Sequence, residues 1–214
     1  KSSWAGQWWR HAILVPITLV TLYPVLWVLK MALTPSDAFE LSASPFPDLA
    51  VVSLSNFEVL LSSGLFWRQL LNSLIVSAVT TIVGICLSCT AAYSFSRFEF
   101  PGRKAGMVGL LVTQMFPGVL IAIPLYVLLD WTGLLNSLTG LVLCYATTAI
   151  PFCVWMLKGY FDTIPKDLEE AAILDGASRW TIFTKIVLPL SRPAIAVTAL
   201  FSFMTAWNEF ILAA

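Results

Sequence analysis

Four cysteines and one histidine are the residues of this chain that could carry redox or metal chemistry. Cys86 and Cys89 have C-x-x-C spacing, and Cys144 and Cys153 follow, each inside an apolar run. A C-x-x-C pair can form a disulfide or bind a metal, but no histidine or carboxylate lies near it, and thiols commonly pack as small apolar groups. We predict that the cysteines are packing residues and that His11 is an interfacial residue, so that no metal or cofactor is bound.

Amide and carboxyl side chains inside apolar runs are a second candidate for chemistry. They are Asn72, Gln114, Asn208 and Glu209. Such groups are costly at membrane depth and commonly mark a substrate pathway. Each could instead hydrogen-bond a neighbouring helix, and the sequence leaves both interpretations open.

The elements that must position these residues are apolar and long. Hydrophobic residues make up 58% of the 214 residues and charged residues 11%, and the mean hydropathy is +0.85. A soluble domain carries about 25% charged residues, and no basic stripe suggests a nucleic-acid partner. Five runs are long enough for a bilayer-spanning helix of about 20 residues: 12–33, 70–95, 105–129, 138–157, and 194 to the end of the sequence. The sequence predicts an all-α membrane protein, a polytopic bundle of transmembrane helices.

The basic residues predict the orientation of this bundle. Ten of the 12 lysines and arginines precede the first run or lie in the segments 96–104 and 158–192. Because basic residues concentrate on the cytoplasmic side, we expect a cytoplasmic N-terminus and an external loop at 34–67. The first run is longer than a signal-peptide core, so we expect it to be retained as a helix. The last run is still apolar where the sequence stops, so we expect a truncated final helix and at least one more helix in the native protein.

The segment 158–192 is too polar to lie in the membrane. Asp162 or Thr163 could cap a helix that has Pro165 in its first turn. Gly176 suits the left-handed residue that ends such a helix.

That helix carries a narrow face of small apolar groups, Leu168, Ala171 and Ala172. A second short helix is expected at 180–187, stopped by Pro189. The pair could pack on its own bundle, or small side chains could let another protein approach closely. The physical pattern alone leaves these two interpretations even.

A longer motif favours docking. Glu170-Ala171-Ala172, Gly176, Ile186 and Leu188-Pro189 match, without a gap, the EAA loop of ABC importer permeases. The chain resembles the maltose-type (MalG-like) carbohydrate-uptake permeases over nearly all its length. Further matching stretches are Ala91-Ala92-Tyr93, Arg97-Phe98, Phe100-Pro101-Gly102, Gln114-Met115-Phe116-Pro117, Trp155, Lys158-Gly159-Tyr160-Phe161 and Trp207-Asn208-Glu209.

The resemblance implies a type I ABC importer permease with a MetI-like fold. Residues 1–69 would form an N-terminal helix and external loop. Residues 70–214 would form the transmembrane domain, without its final helix, and 159–190 its cytoplasmic EAA coupling loop. The protein would be a multi-pass component of the cytoplasmic (inner) membrane.

The resemblance also implies partners and a role. They are ATPase subunits that contact the seven EAA-loop residues named above, a second permease subunit, an external solute-binding protein, membrane lipid and a sugar substrate of the maltose or malto-oligosaccharide kind. The chain has no G-x-x-x-x-G-K-[ST] phosphate loop, so its expected role is transport, not catalysis. Another carbohydrate or a glycerol-phosphate-type solute is the alternative substrate. An ion-coupled secondary transporter or a membrane scaffold are alternatives from other classes.

Overall fold

The computed structural model describes residues 8–35, 46 and 49–209, and within these ranges it contains helices and no strand. The helices are α1 Trp8–Leu33, α2 Ser55–Ser62, α3 Gly64–Arg97, α4 Arg103–Met115, α5 Gly118–Trp131, α6 Leu138–Phe161, α7 Asp167–Leu174, α8 Arg179–Ile182, α9 Leu188–Leu190 and α10 Arg192–Asn208, with a π-helical turn at Phe183–Val187. The chain divides into two compact units, Lys1–Gln69 and Leu70–Ala214.

The first unit is built on α1, whose apolar side chains are exposed along its length. An 18-residue window of this helix has a mean hydropathy of 2.2, which suits a helix surrounded by lipid. Lys30 lies in its last turn, with the ammonium 4.9 Å from the centre of the Trp27 ring. The Asn56 amide on α2 donates to the Thr34 carbonyl at 2.8 Å, which ties α2 to the end of α1.

Three helices of the described chain, α1, α3 and α6, are long and apolar enough to cross a membrane. Two bent pairs bring the total to five if each pair is one span: α4 with α5, bent by 103°, and Arg179–Leu190 with α10, bent by 76°. The predicted apolar segment over 105–129 is helical, but it is broken into two helices instead of forming one straight span. Because proline disfavours helical geometry in the residue before it, Phe116 is extended and the chain breaks ahead of Pro117.

The end of the last run also differs from the prediction. Helix α10 ends at Asn208, and Glu209 is extended, with φ −72° and ψ 124°. The predicted continuation over residues 210–214 lies outside the described residues. The Glu209 carbonyl accepts a hydrogen bond from the Tyr145 hydroxyl at 3.3 Å.

The second unit has two cores, one toward each end of the α3–α6 pair. The first core cluster consists of Cys89, Ala92, Tyr93, Leu157, Phe161, Ile164, Ile182, Phe183 and Val187. The second core cluster consists of Val76, Cys144, Tyr145 and Ala206. Small residues let the helices approach between them: a Cβ on Gly84 of α3 would lie 4.0 Å from Ser202 Oγ of α10. Close approach over small residues is how membrane helices gain packing energy in lipid.

The cysteines occupy packing positions, with one difference from the prediction. Cys89 and Cys144 lie in the two core clusters, and Cys153 is fully buried. Cys86 is exposed. All four thiols are free.

Candidate functional site

The first short helix of the polar segment, α7, begins later than its predicted cap. No side chain caps α7, whose first residue is Asp167, so the expected cap at Asp162 or Thr163 is wrong. Asp162 instead follows the end of α6, where its carboxylate accepts from Ser96 and Lys158. The Thr163 hydroxyl donates to the Tyr160 carbonyl at 2.7 Å. Both side chains finish α6, and they are therefore too far back along the chain to start α7.

Gly176 ends α7 as the sequence predicts, in the left-handed region with φ +82°. Its N–H donates to the Ile173 carbonyl at 2.9 Å, and the Ala177 N–H donates to the Ala172 carbonyl at 2.9 Å. This pair of bonds is the Schellman arrangement, in which glycine is favoured because it has no Cβ. A Cβ at Gly176 would meet no atom within 4 Å, so the backbone angle alone selects glycine.

The second short helix continues past Pro189, so the predicted stop there is wrong. Ser178 caps α8 by accepting from the Thr181 N–H at 3.2 Å. A π-helical turn at Phe183–Val187 follows, and Pro189 lies in the first turn of α9. Proline is tolerated there because the first turn needs no donor from it. The chain bends after Leu190.

The seven predicted coupling residues divide into two groups in the structure. Glu170, Ala171 and Gly176 are exposed. Ala172, Ile186 and Leu188 are partly buried and pack on the first core cluster, and Pro189 is partly buried. Part of the motif therefore fastens the segment to its own bundle, and the other part faces outward.

Sequence reasoning missed the most buried acidic residue of the site. Glu169 is 3% exposed, whereas its neighbour Glu170 is exposed. The Glu169 carboxylate accepts from the Tyr93 hydroxyl at 3.0 Å and from Arg97 Nε. The spacing of Glu169 and Ala172, three residues apart on one helical face, could have indicated that both face inward.

Arg97 connects three segments at once. Besides its ion pair with Glu169, one terminal nitrogen donates to the Ile164 carbonyl at 3.1 Å and the other to Ser96 Oγ at 2.9 Å. Ser96 Oγ in turn donates to Asp162 at 2.6 Å. The end of α3 is thereby bonded to the end of α6, to the turn before α7 and to α7 itself.

Asp162 belongs to this network and lies outside the apolar spans, and the pKa of its carboxyl is shifted. Burial by itself would raise the pKa of its carboxyl, but hydrogen bonds from Lys158 and Ser96 outweigh burial, and the net effect lowers the pKa from its ordinary value. Asp162 therefore stays ionised and keeps both hydrogen bonds at neutral pH.

Aromatic rings connect the second short helix to Tyr93 of α3, whose hydroxyl bonds to Glu169. The centre of the Tyr93 ring lies 4.9 Å from the centre of the Phe183 ring. The centre of the Phe183 ring lies 5.5 Å from the centre of the Trp180 ring. The Arg179 guanidinium lies 5.8 Å from the centre of the Phe98 ring. Tyr93 therefore contacts both short helices, one through its hydroxyl and the other through its ring.

The four polar residues predicted for a substrate pathway lie on different helices or at their ends, and the hydrogen bonds that the structure records for them go to different partners. The Gln114 amide donates to the Thr148 carbonyl of α6 at 3.1 Å, and the Asn208 amide to the Met204 carbonyl of its own helix at 2.8 Å. Asn72 is half-buried on α3, one turn before Val76 of the second core cluster. Glu209 meets Tyr145 of the same cluster through its backbone.

Comparisons with known proteins agree with this architecture. Residues 84–214 match the family described as binding-protein-dependent transport system inner membrane component. The chain is 35% identical to the diacetylchitobiose uptake system permease protein NgcG of Streptomyces coelicolor, over 94% of this chain and 66% of that protein. It is 36% identical to the trehalose/maltose transport system permease protein MalG of Thermococcus litoralis, over 92% and 70% of the two chains.

A solved structure has the same fold. The crystal structure of a bacterial ABC transporter involved in the import of the acidic polysaccharide alginate matches with a TM-score of 0.79 and 24% identity, over 100% of this chain and 75% of that chain. The chain spans two thirds to three quarters of the length of these proteins. With several apolar helices and a family match over residues 84–214, this chain belongs to the binding-protein-dependent transport system inner membrane components and is a multi-pass protein of the inner membrane.

Proposed function

We propose that this chain is the permease subunit of an ATP-driven ABC importer and that it conducts a sugar across the membrane. Its partners would be a pair of ATPase subunits, a second permease subunit and an external solute-binding protein. The observation that carries the proposal is the segment 162–191, which matches the EAA pattern and is fastened to the helix bundle while one of its faces remains exposed.

The exposed face supports docking of an ATPase subunit. Leu174 and Trp180 are 89% and 67% exposed, although they lie in a segment too polar to be in lipid. Glu170 and Ala171 are exposed beside them. Large exposed apolar side chains next to charged ones are typical of a protein interface. The EAA pattern is the reason for choosing an ATPase as the occupant.

The proposed orientation rests on the distribution of basic residues. The docking face must be cytoplasmic to meet an ATPase. Ten of the 12 basic residues precede the first apolar run or lie in the segments 96–104 and 158–192, which the proposed orientation puts on that side. A cysteine introduced as Ser178→Cys tests this, since Ser178 is exposed. It should react with a permeant thiol reagent only. Reaction with an impermeant reagent in intact cells would contradict the orientation.

The sugar class is supported by relatives that are named for sugars, diacetylchitobiose and trehalose/maltose. Malto-oligosaccharide is the prediction from sequence, and we retain it as the finer proposal. Asn72, Gln114, Asn208 and Glu209 are the proposed pathway residues, since each places a polar group among apolar helices.

The experiment is reconstitution of the native full-length permease with its partner subunits in proteoliposomes. ATP-dependent uptake of labelled maltotriose that survives collapse of the proton gradient is the expected result. Parallel assays with trehalose and diacetylchitobiose rank the substrates. Uptake that follows a proton gradient without any ATPase subunit would instead identify a secondary transporter.

A further inference from the structure

The contacts that hold α7 to the bundle suggest how its movement reaches the membrane helices. α7 has only eight residues, and its apolar attachment includes the partly buried Ala172 and, just beyond the helix, Ala177. Two methyl groups on an apolar surface fix a distance but do not fix the position along the helix axis. The directional contacts of α7 come from Glu169.

We propose that Tyr93, Arg97 and Glu169, here called the clamp, make α7 and the end of α3 one rigid body, so that displacement of α7 by the ATPase moves α3. Arg97 and Tyr93 are positioning residues in this proposal. It rests on the proposed function, because it assigns the path by which that function is transmitted.

Burial and geometry support a positioning role. The Arg97 and Glu169 side chains are 5% and 4% exposed. A buried ion pair is seldom the most stable solution, since two apolar residues of the same volume often do as well. What a guanidinium adds is a fixed direction, because its donors lie in a rigid fork. One donor is on Glu169 and another on the Ile164 carbonyl, so both α7 and the turn before it are held.

Helix α3 can carry the displacement over a long distance. It has 34 residues and no proline, and all of its residues from 64 to 97 form one helix. From Arg97 to Val76 the helix rises by about 30 Å at ~1.5 Å per residue. Val76 belongs to the second core cluster together with Tyr145 of α6 and Ala206 of α10. A shift of α7 would therefore be transmitted through α3 to the region where the polar residues of the proposed pathway lie.

The test measures the ratio of sugar transported to ATP hydrolysed in the reconstituted full-length complex. Arg97→Met and Glu169→Gln should lower this ratio by roughly tenfold or more, since each leaves a buried charge without its partner. ATPase subunits should still co-purify, because the exposed face of α7 is unchanged. Tyr93→Phe should lower the ratio less, since the ion pair remains.

Lys158→Met is the matched control. It removes the ion pair between Lys158 and Asp162, which are four residues apart at the end of α6. Their side chains are 20% and 41% exposed, and neither residue belongs to α7. The transport-to-hydrolysis ratio should stay within about twofold of wild type, as expected for an exposed pair. Arg97→Lys, which keeps the charge without the fork, should lie between the wild type and Arg97→Met.

Two results would overturn the clamp. One is an unchanged ratio in both Arg97→Met and Glu169→Gln. The other is loss of ATPase co-purification in Glu169→Gln, the variant of nearly equal size, which would make Glu169 part of docking instead of transmission. A wild-type complex that assembles with no ATPase, or takes up sugar without ATP, would refute the proposed function itself and is distinguishable from both.

Discussion

The two ends of the bundle of α3, α6 and α10 are held by different kinds of contact. At the end with the first core cluster, Arg97 and Glu169 form a buried ion pair, and the more exposed Asp162 accepts from Ser96. At the end with the second core cluster, Val76, Cys144, Tyr145 and Ala206 pack together. Contacts between helices at that end and toward mid-bundle include neutral bonds from Tyr145 and Gln114 to backbone carbonyls.

The difference shows how such a bundle can be stiff at one end and adjustable at the other. Charge-assisted bonds are roughly twice as strong as neutral ones, so the charged end should move as one body. Apolar contacts and single neutral bonds can be exchanged for others at small cost. The proposed function needs both properties, because force is received at one end and a passage opens nearer the other.

The sharpest way to break the charged end is Gly176→Val. A non-glycine residue in the left-handed region costs about 1–2 kcal/mol, and a β-branched one more. We expect normal membrane insertion, loss of ATPase association and near-complete loss of uptake. The reason is that a changed turn after α7 would alter the orientation of α7 relative to the rest of the segment. Co-purification and uptake at matched expression levels are the measurements.

Gly176→Asn is the control for that variant, since asparagine tolerates the left-handed region better than other residues. It should retain most of the association and uptake. If the valine variant behaves like the asparagine variant, the turn does not aim α7.

Two adjacent alanines separate the outward face of α7 from its anchored face. Ala171 is exposed, whereas Ala172 packs on the first core cluster. Ala171→Trp should weaken ATPase association with little change in thermal stability. Ala172→Trp should lower the melting temperature as well, because overpacking a core costs about 1–3 kcal/mol. Equal melting temperatures in the two variants would contradict this assignment of faces.

Matched tyrosine substitutions compare the two ends directly. Tyr93→Phe removes a donor from a buried carboxylate, and Tyr145→Phe removes one from a backbone carbonyl. The expected losses in stability are about 1.5–3 and about 0.5–1.5 kcal/mol respectively, since bonds to charged groups contribute more. Thermal unfolding of both variants in the same detergent decides the matter. A larger loss for Tyr145→Phe would reverse the comparison.

The smallest effects are expected at the proposed pathway residues. Asn72→Ala and Asn208→Ala should each raise the KM for sugar by only a few-fold, corresponding to one hydrogen bond of about 1 kcal/mol. The ATPase rate without sugar should not change. Wild-type KM values in both variants, with a lowered melting temperature, would show that these amides stabilise the fold and do not contact the sugar.

The sequence by itself determined the features that depend on neighbouring residues. Long apolar runs can only be helices in lipid, and this predicted the positions of α1, α3 and α6. Gly176 was identified because a helix of this length, followed by glycine, commonly ends in a left-handed residue. The acidic first turn of α7, with Asp167, Glu169 and Glu170, follows from the helix dipole in the same local way.

Only the tertiary structure decided which acidic residue is buried and what it binds. Glu169 and Glu170 are the same residue type at adjacent positions, and the choice between them depends on the Arg97 guanidinium, 72 residues earlier in the chain. Packing likewise decided that Asp162 finishes α6. The break at Pro117 is local in origin, but the 103° bend between α4 and α5 belongs to the tertiary structure. A carboxylate is stable in an interior only where donors from other segments meet it, and such a meeting leaves no local pattern in the sequence.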